Sequence, residues 1–261
     1  MRRGYSAWVG VVLAVLFTGS FSLSPTLHAA SKYTMPDLDQ EENTCFPAAA
    51  SNIIYWFGEN GYPNLLPALV TGENRHRRLF TKLLVHCNVS YRLGTKFEVM
   101  TTGLKNFFKE QGYNDVKVSY RGFGGAVFTG PEWFEKNGQD NVGFILCIDY
   151  VKKTGEREYS AAESLGHCIS LLTYSDNVAV ILDPAHTADE RGRYTFRFQP
   201  VRNVRLTDSN GTYPLPLVYE LPGAPLGFRP AEAAILTGAI CIEMPPLAIS
   251  PIPPQAVGQK P

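Results

Sequence analysis

One cysteine, Cys45, stands between a polar approach, "DQEENT", and the apolar run "CFPAAASNIIYWF". A thiol at the first turn of a helix meets backbone N–H groups that lack an intrahelical acceptor, together with the positive end of the macrodipole. Both favour thiolate, the nucleophilic form. Much later, "GHCISLLTYSDNVAVILDPAH" carries His167 and Asp183 on two apolar stretches separated by the turn "SDN". Antiparallel pairing about a turn near Asp176 returns the aspartate beside the histidine. A carboxylate there can accept the imidazole Nδ1 proton, fix the tautomer and leave Nε2 to act as a base. Thiol, imidazole and carboxylate in one place would perform nucleophilic acyl transfer. The backbone N–H of Cys45 and the side-chain amide of Gln40 can then receive the charge of a tetrahedral intermediate.

These groups need mounts. Residues 45–57 are apolar on every side, which predicts a helix inside the protein and not on its surface. Thr44 or Asn43 can cap it, Pro47 is tolerated in a first turn, and Gly58 with "NGYP" at 60–63 ends it. A second helix is expected over 74–87. A third is expected over 95–113, where Phe97, Leu104, Phe107 and Phe108 recur at helical spacing. The pattern then changes. Strands are expected at 116–123, 141–151, 167–174, 178–183, 193–201 and 233–244, with a short helix at "PEWFEKNG" and a polar loop at 152–165. Helices first and an antiparallel sheet afterwards predict an α+β fold.

Gln40, then "CFPAAASN" opening a buried helix, then "GHCISLLTY" and "VAVILDPAH", resemble a papain-like cysteine peptidase, most closely the bacteriocin-processing, double-glycine type of peptidase domain. The order glutamine, cysteine, histidine, aspartate is that family's order. The resemblance implies Gln40 as the oxyanion-hole amide, Cys45 as the nucleophile, His167 as general base and acid, and Asp183 as the orienting residue. It covers two stretches of about twenty residues each. The family usually has glycine after the nucleophile, where this chain has Phe46, and here the glutamine lies five residues ahead of the cysteine rather than six. A thiol hydrolase acting on peptide bonds is thus expected. A transglutaminase-like enzyme, a cell-wall peptide hydrolase, and a binding module that kept the fold and lost the chemistry stand beside it as alternatives.

Composition bounds these readings. The 261 residues, 44% hydrophobic and 18% charged, can bury a full core. Within residues 1–30, "MRR", "AWVGVVLAVLF" and "TLHAA" read as a signal peptide, which predicts an exported protein. A single domain is expected over 31–244, followed by a Pro-rich tail over 245–261. Removing Arg2 and Arg3 with the signal leaves 22 basic against 24 acidic side chains, a balance that argues against nucleic acid or an anionic membrane and for a neutral partner, and the resemblance implies a peptide or protein substrate. No later apolar run approaches the ~18 residues of a membrane span.

Five cysteines, an odd number, leave at least one thiol without an intrachain bridge. Neither His86-Cys87 nor His167-Cys168 has zinc-ligand spacing, so no metal or cofactor is expected. Cys168 should face away from His167 into the core, because neighbours on a strand alternate. His186 reads as a loop residue, and "RGFGGAVFTG" (121–130) as a turn, since it lacks the lysine of a phosphate loop.

Overall fold

The computed structural model describes residues 32–68, 70–92, 94–161, 166–185, 193–208, 211–222 and 233–247. The expected signal peptide, His186 and the tail beyond Leu247 lie outside the described residues.

The apolar run forms α1 (Cys45–Glu59), whose Ala49, Ile53, Ile54 and Phe57 are fully buried. Of two helices with one apolar face each, α2 (Glu73–His86) packs beside it and α3 (Phe97–Glu110) packs on α2. Then come β1 (Lys117–Gly122), α4 (Glu132–Asn137), β2 (Val142–Gly155), β3 (Glu158–Ser160), β4 (Gly166–Ser175), β5 (Val178–Leu182), β6 (Arg193–Arg197), β7 (Gln199–Asp208), β8 (Gly211–Glu220) and β9 (Ala233–Glu243). All nine strands belong to one sheet. Helices α1 to α3 cover one face of it with a core that includes Phe46, Ile53, Phe107, Ile145 and Ile240. The other face buries Trp133 and Phe134 of α4 with Phe144, Phe196 and Phe198. The α+β arrangement is present, though the strand content exceeds the sequence reading.

Part of the sheet closes on itself. Pairings run from β2 to β3, β3 to β7, β7 to β8, β8 to β9 and β9 back to β2, with β3 and β7 parallel and the rest antiparallel. Each of the five strands contributes to a small core inside this ring: Val151, Tyr159, Val204, Leu206, Val218 and Ile235. Closure shortens the exposed strand edges, leaving one along β8 before Tyr219.

Three sequence expectations are corrected here. The loop at 152–165 is instead the end of β2 and all of β3, with 162–165 outside the described residues. Lys152, Lys153 and Thr154 face solvent, so this extension shows no apolar run. The single strand expected at 193–201 is two, β6 and β7, broken at Phe198. Strand β8 was not foreseen because Pro214 and Pro216 argue against a strand interior. They are tolerated because β8 meets β9 only at Tyr219 and Glu220, so the proline stretch has one unpaired side.

Helix α1 lies directly on β2. A Cβ at Gly143 would come within 2.4 Å of Ile53 Cγ2, so only glycine permits this approach. The Ser170 hydroxyl of β4 donates to the Ala49 carbonyl of α1 at 3.0 Å, pinning the helix to the strand that carries His167.

Candidate active site

Cys45 is the first residue of α1 and keeps part of its surface open, while the other four cysteines are buried and all five are free thiols. The expected side-chain cap is absent. The Thr44 hydroxyl donates to the Glu41 carbonyl at 2.8 Å, and the Asn43 amide donates to the Tyr91 carbonyl at 2.7 Å. Both side chains fold the approach segment and leave the mouth of the helix uncapped. Phe46 is 1% exposed and points into the helical core, so a side chain after the nucleophile is accommodated by packing inward.

The hairpin β4–β5 supplies the other two groups. Asp176 and Asn177 both adopt positive φ, 51° and 63°, between the paired residues Ser175 and Val178, the conformation a two-residue hairpin turn requires. The ladder then shifts by one residue between Leu171 and Thr173. This bulge decides the geometry. A regular ladder continued from Ser175↔Val178 would set Asp183 opposite Ser170, on the face away from His167. The shifted pairing Ser170↔Leu182 sets it opposite Ile169, on the His167 face. His167 Nε2 lies 2.7 Å from Asp183 Oδ1, with both side chains buried. The backbone N–H of Ala185 donates to the same Asp183 oxygen at 2.9 Å and holds the carboxylate in place.

The ring sense differs from the sequence expectation. Nε2, not Nδ1, faces the carboxylate. The side chain of His167 also hydrogen-bonds Cys45, which leaves Nδ1 as the nitrogen for the thiol. Spacing along a chain carries no information about which way an imidazole is turned. Tyr150, two residues past the strand partner of His167, stacks on the ring at 5.9 Å between centroids and 22° between planes. Neither its role nor that of Cys168 was legible in the sequence. Cys168 is in the core as expected, yet its thiol also bonds to Cys45. Both side chains of the His167-Cys168 pair reach the sulfur because it sits where the helix mouth meets the start of β4.

Gln40 is tied to the hairpin by its backbone N–H, which donates to the Pro184 carbonyl at 2.7 Å, one residue beyond Asp183. Asn52 of α1 accepts from the Leu38 N–H at 3.0 Å and fixes the same segment to the helix. The Gln40 Oε1 atom is buried without a hydrogen-bond partner among the described residues. Asp37 sits nearby, its pKa raised to about 7 by burial and by Asp39, with Arg193 opposing.

Two neighbours compete for the protonation state of Cys45. The hydrogen bond to Cys168, then burial, push its pKa well up, and His167 pulls it down. The resting nucleophile is therefore a thiol, not the thiolate expected from the helix terminus alone. Burial would lower the His167 pKa, but the hydrogen bonds to Asp183 and Cys45 overcome this and raise it to about 10. Among the described residues no cluster of His, Cys, Asp or Glu has the arrangement of a metal site.

No family model matches the chain, and no curated protein does. Among solved structures, it is similar to a double-glycine-motif protease from an AMS/PCAT transporter in complex with the leader peptide. The identity is 14% and the TM-score 0.36, over 83% of this chain and 96% of that one. What the site can do is read from its own geometry.

Proposed function

We propose that this chain is an exported, papain-like thiol hydrolase that cleaves peptide bonds, with Cys45 as nucleophile, His167 as general acid and base, Asp183 as orienting carboxylate and Gln40 as an oxyanion-hole donor. One observation carries the reading: the His167 ring bridges a buried carboxylate at 2.7 Å and the thiol at the mouth of α1. Loss of one proton from the Cys45–His167 pair leaves thiolate beside imidazolium, which Asp183 stabilises. Attack on a peptide carbonyl gives a tetrahedral oxyanion that the Cys45 N–H and the Gln40 Nε2–H donors receive. Imidazolium protonates the leaving amine, and the neutral ring then activates water to release the acyl group.

The test is hydrolysis of a mixture of synthetic peptides, read by mass spectrometry, with wild type, Cys45→Ala and His167→Ala. Turnover should fall to background in both variants. Hydrolysis that survives Cys45→Ala contradicts the proposal.

A further inference from the structure

Three of the five cysteines form a line, Cys45, Cys168 and Cys147, of which the hydrolytic reaction uses only Cys45. Cys147 and Cys168 are directly opposed across the antiparallel pair β2–β4, and the Cys168 thiol donates to the Cys147 sulfur at 4.0 Å. Cys168 is in turn hydrogen-bonded to Cys45, so its thiol is partnered by both of the others. Opposed positions on paired antiparallel strands have Cα atoms about 4.5–5.5 Å apart, inside the range a disulfide spans. The two inner thiols are buried and the outer one is partly open, so an oxidant entering from solvent meets Cys45 first. Cys241 lies in the core on the other face of the sheet, and Cys87 among the helices, apart from this line.

We propose that Cys168 is a resolving cysteine for Cys45 and that Cys147 takes over the bond, so that oxidation of the nucleophile is reversible and ends away from the active sulfur. The proposal rests on the reading of Cys45 as the reactive thiol. Hydrogen peroxide oxidises the Cys45 sulfur to sulfenic acid and is itself reduced to water. The Cys168 sulfur attacks the sulfenyl sulfur, the S–S bond forms, and hydroxide leaves as water with the Cys168 proton. Cys147 then attacks Cys168, the only one of the three thiols partnered by both others. The Cys45–Cys168 bond breaks, the Cys147–Cys168 bond forms, and the proton from Cys147 returns Cys45 to a thiol. The balance is one peroxide and two thiols converted to one disulfide and two waters.

The experiment treats the native protein, wild type and variants, with two equivalents of hydrogen peroxide per chain, blocks free thiols and maps crosslinks by peptide mass spectrometry. It needs no hydrolytic activity, so it is separable from the peptide assay. A loss of two hydrogens per chain, located as Cys45–Cys168 or Cys147–Cys168, is expected. Cys168→Ser should instead accumulate sulfinic acid on Cys45 that reductant does not reverse, while Cys241→Ser should crosslink as wild type does. Thermal melting of each variant separates misfolding from loss of the resolving thiol. Sulfinic acid at Cys45 in the wild type with no crosslink to Cys168, or a crosslink that excludes Cys168, overturns the proposal.

Discussion

The Cys45 sulfur has two neighbours that push it in opposite directions. Removing the charge of Asp183 should release one of them. In Asp183→Asn the His167 pKa should fall by about one to three units, because an adjacent opposite charge shifts a group by that amount. With the imidazolium lost at lower pH, Cys45 loses the neighbour that pulls its pKa down, so the rise of Cys45 alkylation by iodoacetamide should move to higher pH, and an unmoved rise would deny Asp183 its role. Gln40 acts at a different stage. Its replacement by alanine should lower kcat by about 10² to 10³-fold with KM little changed, the cost of one oxyanion donor. Equal losses in both alanine variants of Gln40 and Glu41 would make the effect structural. At this scale the sequence shows which residue types can cooperate, since cysteine, histidine and aspartate each carry their chemistry with them. It does not show the Cys168 contact, the Tyr150 stack or the turned imidazole, all of which depend on rotamers set by packing.

The hairpin β4–β5 converts a separation of sixteen residues into a contact of 2.7 Å. Its turn was legible because Asp176 and Asn177 tolerate the left-handed conformation they adopt. Asp176→Val should destabilise the protein by about 1–2 kcal/mol, the cost of a left-handed conformation for a residue with a full side chain, whereas Asp176→Gly should not. Urea denaturation checks both. The bulge near Leu172 was not legible, because an apolar run such as "CISLLTY" fits either register equally well. The helices were easier to read, since each has an unbroken apolar face. Strands β3 and β8 escaped because one is polar and the other proline-bearing, and both are held by neighbours distant in sequence. The seating of α1 on β2 gives a further expectation. Gly143→Ala forces Ile53 aside and should cost about 1–3 kcal/mol by overpacking.

Across the whole molecule, one face of the sheet is covered by α1 to α3 and the other by α4, and a five-strand ring closes one part of that sheet. The nucleophile and the hairpin belong to different layers, so the site exists only when the layers are docked. Folding and protonation are therefore linked. His167 has a pKa of about 10 in the folded chain against 6.5 for the free side chain, so the folded state binds more protons between those values. The stability it contributes is complete below pH 6.5 and is lost as pH rises toward 10, with a slope of at most about 1.4 kcal/mol per pH unit. Thermal unfolding of wild type and His167→Asn should therefore diverge most near pH 6 and converge toward pH 10. A constant difference would mean that the histidine is not held protonated by its carboxylate.

The most direct measurement is the mass of the protein quenched in acid during turnover of a peptide ester or amide. An acyl adduct attached to Cys45, absent from Cys45→Ser and slow to discharge in His167→Ala, is the predicted result. Turnover with no adduct at Cys45, or an adduct carried by any other residue, would contradict the assignment of this thiol as the nucleophile.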